Sequence, residues 1–254
     1  MSDYNKFSDQ QKEVLHLLKV LNDNDILPHV LIAGSWAEYV YYISNMLPGF
    51  EITLRTIDLD FLIRNKNKPT EKISLTSIIK QENYSVVHDT LMGTTKFFSP
   101  GGLEVEFLIG QKGSGTEPIL ETHLGVNAQA LRHMEHIVRH AVTANVFDMN
   151  VLVPCPESYV LHKMLINDVR KPEKQEKDRN SIMRLLPFID YEKAGDLFSE
   201  FSKKEKSRIR TFVETHGSTI RDNLSVEDKI RFANFTSETV FAQNCKNKEQ
   251  SKEI

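Results

Sequence analysis

Two aspartates lie two positions apart in a segment that is otherwise apolar. The segment Ile57 to Ile63 is β-branched and apolar except for Asp58 and Asp60, a composition that predicts a buried strand. Because side chains alternate along a strand, the two carboxylates should project from the same face. Like charges on an apolar strand are costly unless a cation neutralises them, and a hard divalent ion is the natural partner. The pair therefore indicates Mg²⁺-assisted phosphoryl chemistry, with solvated aspartates at a strand edge as the alternative.

A turn that suits a phosphate group precedes this strand. Val30 to Ala33 is predicted to be a strand and Trp36 to Met46 a helix, so Gly34 and Ser35 form the tight turn between them. The first backbone N–H groups of a helix have no partner within the helix, and together with the helix dipole they favour an anion. Glycine lets a phosphate approach the backbone, and the serine hydroxyl can donate a hydrogen bond to it. Gly-Ser is also common in ordinary turns, so a purely structural role stays open.

A third carboxylate is available further along the chain. Leu103 to Leu108 is predicted to be a strand in which Glu104 and Glu106 share one face. In two-metal phosphoryl transfer, an additional carboxylate can activate the attacking oxygen or complete the metal shell. The alternative is a half-exposed strand whose glutamates face water.

The surrounding sequence predicts an α/β region followed by an all-helical region. A capping box at Ser8 and Gln11 predicts a first helix that runs to about Leu21. Periodicity and turn residues predict a helix around Glu71 to Gln81, strands at Tyr84 to His88, Thr94 to Phe98, Leu103 to Ile109, Ile137 to Phe147 and Val151 to Val153, and helices from Glu157 onward. The expected fold class is α/β (α+β), with a mixed sheet and flanking helices followed by a helical domain. We expect an α/β domain at 1–154, a helical domain at 155–243 and a frayed, charged tail at 244–254.

Composition excludes several other classes of protein. The formal net charge of −3 argues against a protein that coats nucleic acid or an anionic membrane through bulk positive charge. Cys155 and Cys245 are the only cysteines, too few for a disulfide framework or a cysteine-rich zinc site. The polar N-terminus lacks the apolar stretch of a signal peptide, and no apolar run reaches the length of a membrane span. A cytoplasmic protein without a membrane partner is expected.

The acidic and Gly-Ser motifs together resemble a known family. Gly34-Ser35, then Thr56-x-Asp58-x-Asp60-Phe61, then Gly102-Leu103-x-Val105-Glu106-Phe107-Leu108 are similar, in order and strand context, to successive motifs of bacterial nucleotidyltransferases in the DNA polymerase β-like superfamily. The resemblance implies that the Gly-Ser turn binds a nucleoside triphosphate and that the two aspartates coordinate Mg²⁺ or Mn²⁺. It assigns the third acidic role, in catalysis and metal binding, to Glu106 before Glu104.

The same resemblance suggests contacts to the nucleotide outside these strands. Arg55 and Thr56, directly before the acidic strand, are candidates for nucleotide binding. In the helical half, Val153-Pro154-x-Pro156, His162-Lys163-Met164-Leu165, Arg170 and Lys177-Asp178 resemble the toxin-like or abortive-infection branch of this group. That branch implies a catalytic role for Lys163 and a nucleotide-binding role for Asp178. Basic residues outnumber acidic ones from Lys163 to Arg184, which suits a phosphate-facing surface, although a solvated helix face with internal ion pairs would look the same.

The function that the resemblance implies is transfer of a nucleoside monophosphate from an NTP to an acceptor. The acceptor could be a protein, a transfer RNA or a small molecule, and the resembling branch suggests a toxin with an antitoxin partner. Since the third acid is a glutamate where the family commonly has aspartate, a weak or inactive nucleotide-binding regulatory module is the alternative.

Overall fold

The computed structural model describes residues 7–52, 56–64, 73–89, 93–111 and 119–237 of the chain. Its backbone forms two compact units that divide between Pro154 and Cys155. The predicted frayed tail, 244–254, lies outside the described residues, as does Arg55.

The first unit mixes helices and strands. In chain order its described elements are α1 Asp9–Asp23, β1 Val30–Ala33, α2 Ser35–Ile43, β2 Asp58–Ile63, α3 Leu75–Gln81, β3 Ser85–His88, β4 Thr95–Phe98, β5 Glu104–Gly110, β6 Ile119–Glu121, β7 Asn127–Leu131, α4 Glu135–Arg139, β8 Ala141–Val146 and β9 Met149–Pro154. The predicted capping box starts α1: the Ser8 side chain accepts from the Gln11 backbone N–H, and the Gln11 side chain accepts from Ser8 in return.

The main sheet is mixed, as predicted. Its strand order is β1-β2-β5-β4-β3, and β7 pairs with β5 and β6 outside that path. β2 runs parallel to β5, whereas β1 with β2 and β4 with β5 are antiparallel. β8 and β9 form a separate two-stranded sheet. The parallel β2–β5 pair is therefore central in the sheet and carries both acidic motifs.

Apolar side chains cover one face of β2 and β5 along its whole length. Leu59, Phe61, Val105 and Phe107 are almost fully buried there, and the rings of Phe61 and Phe107 stack with centroids 5.4 Å apart. Burial of a large apolar side chain contributes roughly 1.5–3 kcal/mol, so this face holds the two strands firmly in register.

The opposite face of the same strands is acidic at one end and apolar at the other. Asp60 and Glu106 are followed, two positions later, by the buried residues Leu62 and Leu108. Those leucines belong to a second apolar cluster that includes Leu31, Ala33, Met134 and Ile137. The carboxylates thus sit at the margin of a packed core, which limits how far their strands can shift.

One local prediction in this unit was wrong, and two strands were not predicted. Ile137 to Arg139 was predicted as strand but belongs to the short helix α4, where Ile137 is buried in the second apolar cluster. The β-branched side chains of Ile137 and Val138 suggested a strand, but packing of this short helix against the core outweighed that preference. Strands β6 and β7 were not predicted, because Asn127–Leu131 has few β-branched residues and is ordered by pairing with β5 and β6.

The second unit is helical in its described part, as expected. It contains α5 Pro156–Ile166, α6 Pro172–Leu185, α7 Tyr191–Ser199 and α8 Lys203–Asp222, and residues 226–237 are also helical. The predicted apolar faces form its core, since Val160, Leu161, Met164 and Leu165 are all nearly inaccessible to solvent. Among the helices described in either unit, none combines the length and apolar character that crossing a bilayer requires.

Candidate active site

The two aspartates of β2 share one face of the sheet. Leu59 between them is fully buried on the opposite face, whereas Asp58 is exposed and Asp60 half-buried. The strand begins at Asp58, whose backbone N–H donates to the Thr56 hydroxyl at 3.3 Å. The Gln10 side chain of α1 in turn donates to the Thr56 carbonyl at 2.6 Å. These contacts fix the start of the strand, so Thr56 has a positioning role here, and its predicted contact with nucleotide stays a prediction.

The Gly-Ser turn lies directly against this pair. β1 ends opposite Asp60, since Ala33 is its partner across the antiparallel ladder, and Gly34 follows. Gly34 has φ +65°, and a Cβ atom built on it would lie 3.1 Å from Asp60 Oδ2. Both the backbone conformation and this close approach favour glycine. Two motifs far apart in sequence therefore meet at one carboxylate.

The start of α2 is suited to an anion. Ser35 is the first residue of the helix and is exposed, and no side chain caps this end of the helix. The helix is held from its other end by Tyr41, whose buried hydroxyl donates to the Pro154 carbonyl at 2.7 Å. A phosphate at Ser35 would accept from the first N–H groups of a helix whose position is fixed by the core.

The parallel register brings the third acidic motif beside the first. Asp58 is paired with Glu104, and Asp60 with Glu106, across β2 and β5. We call these four residues the acidic face. Paired residues on neighbouring strands, about 4.8 Å apart, point to the same side of the sheet, so the four carboxylates lie on one face. Among these described side chains, no three bring their oxygens within 4.8 Å of one another, so a cation shared by three of them would require the side chains to rotate towards it.

A lysine that the sequence analysis missed lies among these acids. Lys96 on β4 is paired with Glu106 across the β4–β5 ladder. Its ammonium donates to Glu104 Oε1 at 2.7 Å and forms an ion pair with Glu106 Oε1 as well. The signal was present in the sequence: if Ser99 and Leu103 pair across the glycine turn, counting outward pairs Lys96 with Glu106. Opposite charges in such a cross-strand pair stabilise each other.

Lys96 and the two glutamates affect one another's pKa values. Desolvation raises the pKa of Glu106, the hydrogen bond from Lys96 opposes this, and neighbouring Glu104 adds to the rise, so that the net shift is upward. Desolvation alone would lower the pKa of Lys96, but its bonds to Glu104 and Glu106 outweigh that effect and raise it. Lys96 is therefore a permanent cation near neutral pH.

The loop that leads into β5 is fixed by α1. Glu13 accepts a hydrogen bond from the Ser99 hydroxyl at 2.8 Å and another from the Gly101 backbone N–H at 2.9 Å. The Ser99 hydroxyl also accepts from the Leu103 backbone N–H at 2.9 Å. Glu13 thus positions the strand that carries Glu104 and Glu106, although neither its type nor its spacing singled it out in the sequence.

Comparison with known proteins shows which family this chain belongs to. A nucleotidyltransferase family model matches residues 12–204, most of the chain. The chain belongs to the nucleotidyltransferase family. Its family membership makes the NTP the expected substrate, in line with the resemblance seen in the sequence.

Solved structures resemble this nucleotidyltransferase only distantly in sequence. An antigenic nucleotidyltransferase-like protein from Paracoccidioides brasiliensis is 17% identical, with a TM-score of 0.51 over 84% of this chain and 92% of that one. The antibiotic-resistance factor ANT(2'')-Ia is 15% identical, with a TM-score of 0.45 over 84% of this chain and 100% of that one. No curated protein matches the sequence. The first similarity supports the same fold and, at this identity, nothing beyond it.

In the second unit of this nucleotidyltransferase, two predicted site residues form an ion pair. Lys163 on α5 donates to Asp178 Oδ1 on α6 at 2.8 Å, and Arg170 donates to both carboxylate oxygens at 3.2 and 3.3 Å. The Asp178 side chain is only 3% exposed. The Lys163 ammonium also lies over the Tyr159 ring, 4.7 Å from its centroid. Two cations on one carboxylate leave this cluster with net positive charge.

Proposed function

We propose that this nucleotidyltransferase moves a nucleoside monophosphate from an NTP, ATP among them, to an acceptor and releases pyrophosphate. The observation that carries the proposal is the register of β1, β2 and β5. It places the end of β1 next to Asp60, and Asp60 next to Glu106. The turn that we assign to phosphate and the acids that we assign to the metal ion are thereby adjacent.

Mg²⁺, or Mn²⁺ in its place, fits the donor set of this site. Asp58, Asp60 and Glu106 are hard oxygen donors on one face, and Asp58 is open to solvent. Mg²⁺ is usually held by one or two carboxylates together with substrate phosphates, which matches an accessible pair beside a phosphate-binding turn. When bound, the ion would neutralise the triphosphate and polarise the phosphoryl group under attack.

The chain's own residues then have distinct tasks. The Gly34 turn and Ser35 donate hydrogen bonds to the β- and γ-phosphates, which orients the α-phosphorus. The acceptor oxygen bonds to that phosphorus as the bond to the β-phosphate oxygen breaks, and pyrophosphate leaves. Glu106 receives the proton of the acceptor hydroxyl or completes the metal shell. Positioning and charge neutralisation supply most of the catalysis in such a scheme.

Four further residues are assigned to the nucleotide on the family pattern. Arg55 and Thr56 directly precede β2 in the sequence, and we assign both to nucleotide binding. Lys163 is assigned to the triphosphate and Asp178 to its orientation, which the net positive charge of their cluster supports. Asp178 acts through Lys163 and Arg170 in this scheme.

The acceptor is a protein, a transfer RNA or a small molecule, and a toxin paired with an antitoxin is the biological role we propose. The second candidate function is a regulatory module that binds nucleotide with little or no turnover. It is favoured by one observation: Lys96 already forms ion pairs with both glutamates of the third acidic motif and offsets one of their two negative charges.

A transfer assay separates the two candidates. The protein is incubated with each α-labelled NTP, Mg²⁺ and cell extract, and label is followed on protein and RNA. We expect transfer by the wild type and none by Asp58→Asn/Asp60→Asn. Asp148→Asn is the matched control, because Asp148 is exposed in a turn with φ 66°, which asparagine tolerates. Label transferred by the double variant would refute the metal-pair mechanism, and binding without transfer or pyrophosphate release would favour the regulatory module.

A further inference from the structure

Lys96 lies where a second cation would meet the third acidic motif. Its ammonium contacts one oxygen of Glu104 and one of Glu106, and it thereby bridges two carboxylates on the same face of β5. All three side chains are mostly buried, with exposed fractions of 28%, 23% and 24%. Charges that are partly shielded from water interact more strongly than an exposed surface pair.

The position of the lysine is fixed by the fold. Lys96 pairs directly with Glu106 in the β4–β5 ladder, and Glu104 is its diagonal neighbour two residues along the strand. Glu13 of α1 holds the connecting loop through Ser99 and Gly101. Strand pairing in the sheet therefore holds the Lys96 ammonium next to the two glutamates.

A divalent ion and this ammonium compete for the same oxygens. An ion between Glu104 and Glu106 would stand next to the lysine and be repelled by it. Asp58 and Asp60 are one strand further away, separated from β4 by β5, so an ion held by that pair meets weaker repulsion.

We propose that Lys96 is a tethered cation that takes the place of a second metal ion beside Glu104 and Glu106. This inference rests on the proposed function, because it assumes that Asp58 and Asp60 bind the first ion. In the nucleotide-free protein a single divalent ion is then held by the two aspartates. The lysine keeps Glu106 off that ion and orients it, so that Glu106 takes the first of its two proposed tasks and receives the proton of the acceptor hydroxyl. Lys96 is a positioning residue, since it acts through Glu106.

Mn²⁺ binding to the nucleotide-free protein tests this directly, by electron paramagnetic resonance and calorimetry. We expect the wild type to bind one ion, and Lys96→Met to bind a second ion or to bind the first at least tenfold more tightly. Lys96→Arg should keep the wild-type isotherm, because the cation is retained. Lys80→Met is the matched control, since Lys80 is an exposed lysine on α3 of the same unit.

Glu106→Gln gives a second measurement that does not depend on the folding of Lys96→Met. We expect it to change Mn²⁺ affinity less than threefold, because Lys96 keeps Glu106 off the ion. A loss of tenfold or more, or a Lys96→Met isotherm equal to that of the wild type, would overturn the inference. A different result would refute the proposed metal site itself: Mn²⁺ binding to Asp58→Asn/Asp60→Asn that equals binding to the wild type.

Discussion

At the scale of single residues, the proposed site depends on the small space between Gly34 and the Asp60 carboxylate. The glycine has a positive φ, and its Cα faces the carboxylate so closely that an added methyl group would touch Oδ2 at 3.1 Å. The glycine of the proposed phosphate-binding turn thus also leaves room for a proposed metal ligand.

Gly34→Ala should therefore weaken metal binding as well as stability. We expect a stability loss of about 1 kcal/mol from the positive φ. Displacement of Asp60 should weaken Mn²⁺ binding roughly 10–100-fold, as is typical when a partner of a metal ligand is changed. Gly102→Ala is the control, because Gly102 has φ +88° but nothing lies within 4 Å of the added Cβ. Equal Mn²⁺ affinities in the two variants would contradict this account.

At the scale of elements, α1 is coupled to the loop between β4 and β5 through Glu13. The carboxylate accepts two hydrogen bonds from that loop, and a Cβ on Gly101 would overlap its Oε1 atom. The helix therefore holds the entrance to the strand that carries the third acidic motif.

Glu13→Ala should destabilise the protein by about 1.5–3 kcal/mol, because hydrogen bonds to a charged group are lost. Urea unfolding measures the change. Lys19→Ala on the same helix is the control: its ion pair with Asp23 is 66% and 50% exposed, so its removal should cost less than about 1 kcal/mol. If both variants unfold at the same urea concentration, Glu13 does not anchor the loop.

The link between α5 and α6 gives a second prediction at this scale. Asp178→Ala leaves Lys163 and Arg170 without their shared carboxylate, and loss of one partner of a buried pair costs roughly 3–5 kcal/mol. Asp168→Ala serves for comparison, because the Asp168 side chain is 64% exposed in its pair with Arg208. Chemical denaturation that ranks Asp168→Ala as the more damaging change would refute a structural role for the cluster.

At the scale of the whole molecule, binding of metal and nucleotide should appear as stability. A ligand that binds only the folded state at about 100 times its Kd adds about 2.7 kcal/mol. Mg²⁺ with a non-hydrolysable NTP analogue should therefore raise the melting temperature of the wild type and of Asp148→Asn. The increase should vanish in Asp58→Asn/Asp60→Asn. A ligand-induced increase that survives in the double variant would place the nucleotide elsewhere.

The sequence by itself determined the features that depend on neighbouring residues. Two-residue spacing put Asp58 and Asp60 on one face, because alternation is a property of any strand. The capping box that starts α1 and the Gly34 turn are equally local, so they too could be predicted.

The tertiary structure decided how these pieces meet. Which strands are neighbours, and in which register, depends on packing between distant segments, and a one-residue slip would move every side chain to the other face. The strand order and register placed Asp60 beside Glu106 and Lys96 beside the two glutamates. They also ordered β7, whose residues have little strand preference of their own. The sequence therefore identified the acidic residues. Only the folded sheet brought those of β2 and β5 to one face and placed Lys96 beside the glutamates.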